Sequence, residues 1–310
     1  MSHYSLVVFG SDVSDKLAPY SENDNDYFTE QNVTEAVLAG ISNHHEVDIK
    51  SLEFEELLEK VLDWADYVVM TESEFEEDGH PETSYVLLND EQTQIIAIYD
   101  YFNHDSKWDW YSEGGSWTSF FKVKKDVSEN DYEVDINGDN SNSIVEGYAD
   151  SIRKKDIDFE SMREEFVAKY LPIYDQYQDL TKGMPAYKNI EMIKEENRAL
   201  SSKDIFNIHD DQEVVKMIHN LDDEHPLKSY LNKKFMFSLE EFILSRDDFK
   251  KYKGISAYTP NSYIGLDGLF YSKEGMSEEE HKKQFQEYLD SVPDDTWTVS
   301  YTHLTLPTIY

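Results

Sequence analysis

Tyr99 to Trp117 reads YDYFNHDSKWDWYSEGGSW and gathers the residue types best suited to chemistry. Three of the five tryptophans fall here, with two adjacent glycines and with Lys107 and Asp109 flanking Trp108. Gly114 and Gly115 free the backbone for a positive φ or for close approach to another group, at an entropic cost that needs a reason. Aromatic surface beside such a turn can stack a planar ring. Lys107 offers a charge to a phosphate, and Asp109 accepts hydrogen bonds from a base or ribose. The binding set read from this pattern is Lys107, Trp108, Asp109, Trp110, Tyr111, Gly114, Gly115 and Trp117. The same pattern also describes a core plug, in which the tryptophans fill the sheet where a tight loop returns to it. For catalysis the clustered acid/base candidates are His104, Asp105 and Asp109, which must lie within hydrogen-bond reach of one another to act.

Other constellations are weaker. Asp135, Asn137, Asp139 and Glu146 occupy positions one, three, five and twelve of a calcium-loop template, but Asn140 stands where glycine is required and Asn142 where an apolar residue is usual. A polar Asn/Gly turn explains them as well. His44, His45, His80, His209, His219 and His225 are scattered, and none has the spacing of a familiar zinc motif, so no metal site is expected. No GxSxG, Walker, GxGxxG or DFG-type signature is present. The sequence names no cofactor.

Charge narrows the partners. The chain has 310 residues, 65 acidic against 28 basic, for a net charge of -37. Acids spread from end to end repel nucleic-acid phosphates and anionic membranes, which disfavours direct nucleic-acid binding and favours a small molecule or a protein partner. Acidic runs such as Glu72 to Asp78 (ESEFEED) and Asp222 to Glu224 are also what a nucleic-acid mimic presents to a host protein. Cysteine is absent, which excludes thiolate chemistry from these residues. No run of eighteen apolar residues and no signal-peptide pattern occurs, so the expected location is cytoplasmic.

The elements that must position the candidate residues follow from periodicity. Tyr4 to Phe9 reads as a buried strand. Thr29 to Ser42 and Leu52 to Val69 read as helices, the second with Leu57, Val61, Trp64 and Val68 on one stripe and Ser51 as its N-cap. Strands are predicted at Tyr85 to Leu88, Gln94 to Tyr101, Thr118 to Lys124 and Tyr132 to Ile136. From Asp158 the pattern turns helical, with Pro172 kinking or ending the first helix. Gly254 to Tyr258 and Tyr263 to Tyr271 return to β character around Asp267-Gly268. A helix from Ser277 to Ser291 carries a Ser277/Glu280 capping box, and a strand begins at Thr296 that can pair beside Tyr4 to Phe9. The order predicts an α+β fold, a mixed or antiparallel sheet with flanking helices and a helical insertion at about 150 to 250.

Asn103 to Trp117 resembles a motif, NPxSKWDWYxxGGRW, of an uncharacterised family of tailed-phage and prophage proteins, with His104 in place of proline and Ser116 in place of arginine. Weaker resemblances lie in Leu6 to Gly10, Leu17 to Asn23 (LAPYSEN), Arg153 to Arg163 (RKKDIDFESMR) and Pro293 to Val299 (PDDTWTV). The resemblance implies a phage protein working in an infected bacterial host, without naming an activity. The loss of the arginine weakens an anion grip at the motif. Separately, Val299 to Tyr310 (VSYTHLTLPTIY) resembles a transposase-type sequencing adapter read as codons, which implies a native domain at 1–298 followed by a non-native tail at 299–310. The functional expectation is an accessory protein that binds a small ligand or host protein through Lys107 to Trp117. The alternatives are an enzyme on a nucleotide-like or peptide substrate, and an acidic mimic.

Overall fold

The structure, a computed structural model, describes residues 3–134, 145–232 and 239–305. It is α+β, as the order of elements predicts. The N-terminal run forms β1 (His3–Phe9), in which Leu6, Val7, Val8 and Phe9 are all fully buried. Val7 and Phe9 face one apolar cluster while Leu6 and Val8 face another, so the strand has no solvated side and needs no polar alternation.

After the short α1 (Val13–Leu17) comes a separate four-stranded sheet. Its parts are β2 (Thr29–Asn32), α2 (Thr34–His45), α3 (Phe54–Trp64), β3 (Val68–Thr71), α4 (Glu72–Asp78), β4 (Tyr85–Leu88) and β5 (Ile95–Phe102), with strand order β2-β5-β4-β3. Two expectations change here. Thr29–Asn32 is strand rather than helix because it pairs antiparallel with β5, and the Asn32 side chain then accepts from the Thr34 N–H and hydroxyl, separating strand from helix. Val68 and Val69 likewise leave the predicted helix to pair in parallel with β4, a context that suits β-branched residues. Val61 of the predicted stripe is buried, against Val37, Ile41 and Ile98 among others.

The chain then supplies β6 (Trp108–Glu113), β7 (Phe121–Lys122), β8 (Tyr132–Glu133), β9 (Tyr148–Ala149) and β10 (Ser151–Arg153). A helical layer follows: α5 (Phe159–Leu180), α6 (Ile190–Glu196), α7 (Ser202–Asp211), α8 (Glu213–His219), α9 (Pro226–Asn232) and α10 (Arg246–Ser256), with its own core around Tyr174, Val215, Phe242 and Phe249. Pro172 lies inside α5 and does not end it. Gly254–Ser256, predicted as strand, closes α10 instead. A Cβ on Gly254 would sit in ordinary van der Waals contact with Arg163 Cβ at 3.5 Å, where α10 packs on α5.

The last elements are the hairpin β11 (Ser262–Ile264) and β12 (Phe270–Ser272), the capped α11 (Glu278–Ser291) and β13 (Trp297–Thr305). The main sheet runs β12-β11-β1-β13-β10-β8, and β6 also pairs with β13. Beside β1, β13 is antiparallel from His3↔Leu304 to Phe9↔Thr298. On its other side it meets β10 at Trp297 to Val299 and β6 from Tyr301 onward. The residues that resemble adapter codons thus make up most of a central strand, and Val299 to His303 are each at most 9% exposed.

His303 fits this place poorly. Its Nδ1 is buried with no hydrogen-bond partner among the described residues, Nε2 lies 3.3 Å from the Ser262 hydroxyl, and burial pushes its pKa down to about 4. Above pH ~6.5 the ring is neutral in both folded and unfolded chains. Below that value the unfolded chain takes up a proton that the folded one refuses, so stability falls by roughly 3 kcal/mol as the pH approaches 4. His303→Leu should therefore raise the urea midpoint at pH 7 and raise it further at pH 4.5. An equal gain at the two pH values would refute this account of His303.

Candidate functional site

The sequence-singled segment is held from one side by Ala18 to Asn23. Lys107 N–H donates to Tyr20 O (2.8 Å), Glu22 N–H to Trp108 O (3.0 Å), and Asn103 Nδ2 to both Pro19 O and Ser21 O (2.8 Å each). The two segments are therefore one hydrogen-bonded unit. Their joint product is the burial of Trp108, which is 0% exposed and ringed by Tyr20, Phe270, Tyr111 and His303 at centroid distances of 5.5–6.2 Å. Trp108 is core and does not offer a face to a ligand. The side chains of Trp110 and Trp117 lie outside the described residues.

Gly114 and Gly115 sit where β13 exchanges β10 for β6. Ser300 N–H donates to Asp150 O (2.8 Å), Gly114 N–H to Ser300 O (2.9 Å) and Thr302 Oγ1 to Gly114 O (2.6 Å). Both glycines have positive φ, 60° and 54°. A Cβ on Gly114 would lie 2.9 Å from the Asp150 carboxyl, and one on Gly115 2.9 Å from Thr302 Cβ. Side chains are excluded by close packing as well as by backbone conformation. The Asp150 carboxylate is fully buried and accepts from Ser119 N–H (2.7 Å), Ser300 Oγ (3.1 Å) and Thr118 Oγ1 (2.8 Å). Buried carboxylates persist only when they are hydrogen-bonded, and here they shape the loop. Sequence reasoning missed Asp150, because its partners are some thirty residues before it and 150 after it in the chain.

What β6 leaves outside is acidic and aromatic. Asp109 is exposed, with Asn23 Nδ2 donating to its backbone O (2.9 Å) and its Oδ1 (3.3 Å). Glu22 lies against it; partial burial first, and then the hydrogen bond and like charge of the Asp109 carboxyl, raise the Glu22 pKa above its ordinary value. Tyr111 is 36% exposed nearby on the same strand. Lys107 is half-buried beside Tyr20 O through its backbone.

The acid/base set is not brought together. His104 Nε2 is 3.1 Å from Thr29 O and its ring lies 4.0 Å from that of Phe102, and no hydrogen bond joins it to Asp105 or Asp109 among the described residues. His209, scattered in the sequence, is buried between the Tyr187 hydroxyl (3.1 Å) and Asp210 (2.9 Å). Asp135, Asn137 and Asp139 of the calcium template lie outside the described residues. Among those described, no group of three or more His, Asp or Glu side chains is placed to hold a metal ion, and no helix is long and apolar enough to cross a membrane.

Fold and site together define an α+β protein with a tryptophan-centred sheet seam and an acidic outer strand face. No family model, no curated protein and no solved structure matches the chain.

Proposed function

We propose that this chain is a phage-encoded accessory protein that binds a basic host protein through the outer face of β6, without catalysing a reaction. The observation that carries the reading is the carboxyl pair Glu22–Asp109, held together by Asn23 beside the half-exposed Tyr111. Like charges kept in contact raise the free energy of the unbound protein, and a lysine or arginine placed between them relieves it. Tyrosine is a favoured anchor at such interfaces. The inner half of the motif, Trp108 with Gly114 and Gly115, serves by fixing the strand so that the outer half is preorganised. Phage origin rests on the resemblance of Asn103 to Trp117.

A lysine- and arginine-rich peptide titrated into the full chain and followed by NMR should shift Asp109, Glu22 and Tyr111, with affinity falling as salt is raised. Asp109→Asn and Tyr111→Ala should each weaken binding by about tenfold, more than truncation of most interface residues costs. Shifts spread evenly over the acidic surface, or unchanged affinity in both variants, would reject the β6 face as the binding surface.

A further inference from the structure

A cavity of about 600 Å3 opens between the segment after β7 and the turn after β10, within the range of small-ligand sites. The two walls are joined by the Lys124 N–H to Asp156 O bond (3.0 Å), by the Val123↔Ile157 bridge and by Lys124 Nζ on Lys155 O. Lys124, Arg153 and Lys155 bring three cations, and Asp126, Asp131 and Asp156 bring three carboxylates; Val127 is the apolar wall. Counting Asp295 beside Lys155 and Arg153, three cations face four carboxylates, a smaller acidic excess than that of a chain with 65 acidic and 28 basic residues.

The cations are unequally committed. Lys155 Nζ is paired with Asp295 at 2.7 Å. Arg153 is oriented by stacking, its guanidinium 5.4 Å from the Trp297 ring centre, while its Nη1 comes only within 3.8 Å of Asp295. A guanidinium fixed in direction with donors left over is suited to a phosphate, and Lys124 adds a point charge. The carboxylates of Asp126, Asp131 and Asp156 make no hydrogen bond or ion pair among the described residues. They repel a bare anion and accept hydrogen bonds from hydroxyl groups. Six charged walls and one valine give a purine or other flat apolar ring nothing to stack on.

We propose that this cavity binds a phosphorylated polyol of the sugar-phosphate class, with the phosphate on Arg153 and Lys124 and the sugar hydroxyls donating to Asp126 and Asp131. The site is separate from the β6 face and stands or falls independently of it. Isothermal titration of the full chain with ribose 5-phosphate and glucose 6-phosphate tests it, with inorganic phosphate, the unphosphorylated sugars and a nucleoside monophosphate as separate arms. At least one sugar phosphate should bind with a dissociation constant below about 1 mM, and more tightly than inorganic phosphate or the free sugar. Arg153→Gln and Asp131→Asn change exposed or half-exposed side chains, so melting curves should be unchanged while each weakens the sugar phosphate about tenfold. Asp131→Asn should leave inorganic phosphate no weaker. Failure of every sugar phosphate to bind, affinity no better than that of inorganic phosphate, tighter binding of the nucleoside monophosphate, or indifference to Asp131→Asn would each overturn the assignment.

Discussion

A chain ended at Thr298 is expected to show no cooperative thermal transition and to lose amide protection throughout β1. The reason is the position of β13 rather than its composition. It gives β1 a full antiparallel ladder from His3 to Phe9, and it is the strand on which β6 pairs. Without it, Leu6 and Val8 lose Val299 and Tyr301 from their cluster, Trp108 loses His303 from its surround, and the buried Asp150 loses the Ser300 hydroxyl. Small domains are stable by only about 5–15 kcal/mol, and removal of most of a central strand exceeds that margin. Circular dichroism on heating and hydrogen exchange of β1 amides check it. A truncated chain that melts cooperatively within a few degrees of the full one would show that β1 and β6 do not depend on β13.

The second large effect is expected in the helical layer. Glu241→Ala should cost roughly 3–5 kcal/mol, read as a fall in the urea midpoint, because it takes a carboxylate in direct contact away from the buried Lys253 ammonium. Lys253 Nζ lies 2.5 Å from Glu241 Oε2, and each residue is 5% exposed. Tyr230 joins the pair, donating its hydroxyl proton to Glu241 Oε1 (2.5 Å) and accepting from Lys253 Nζ (2.7 Å). Burial and the Glu241 carboxylate push the Tyr230 phenol far up, so it stays a donor at any pH the protein meets. The rings of Tyr170 and Phe249 approach the ammonium at 5.0 and 5.7 Å and supply some cation–π attraction. The pair's net worth is small because both ions were desolvated to form it; what is large is the cost of breaking half of it. Glu241→Met with Lys253→Met should accordingly recover most of the loss. A single variant that loses less than about 1 kcal/mol, or a double variant worse than the single, would contradict the account.

Neither Glu241 nor Lys253 is marked by spacing or neighbours, and the same is true of Asp150. Asp150's partners are distant in sequence, and Glu241 and Lys253, twelve residues apart, lie on different elements that only the fold turns toward one another. The motif Asn103 to Trp117 was conspicuous, yet its two sides have different roles: Trp108 is sealed in by Tyr20 and Phe270, while Asp109 meets Glu22 and Asn23 outside. Sequence supplied the list of unusual residues. Which of them face solvent depends on Ala18 to Asn23, which lies about eighty residues earlier and closes one side.

Features decided by neighbours in the chain were readable in advance. The capping box of Ser277 and Glu280 and the hairpin through Asp267-Gly268 rest on interactions spanning a few residues, and the apolar run of β1 and the strand that opens at Trp297, one residue past the predicted Thr296, were marked by local composition. The α+β class followed from their order. Tertiary structure decided the rest. Thr29–Asn32 and Val68–Thr71 became strands only because β5 and β4 offered free edges, and Gly254–Ser256 proved to close a helix rather than open a strand. Gly114 is required by the Asp150 carboxylate that the loop closes over and Gly115 by Thr302 of β13, and the charged cavity exists only where Lys124 to Asp131 meets Arg153 to Asp156. The physical division is one of range: capping, turn and periodicity act within a few residues, whereas burial, charge pairing and cavities depend on which distant segments the sheet brings into contact.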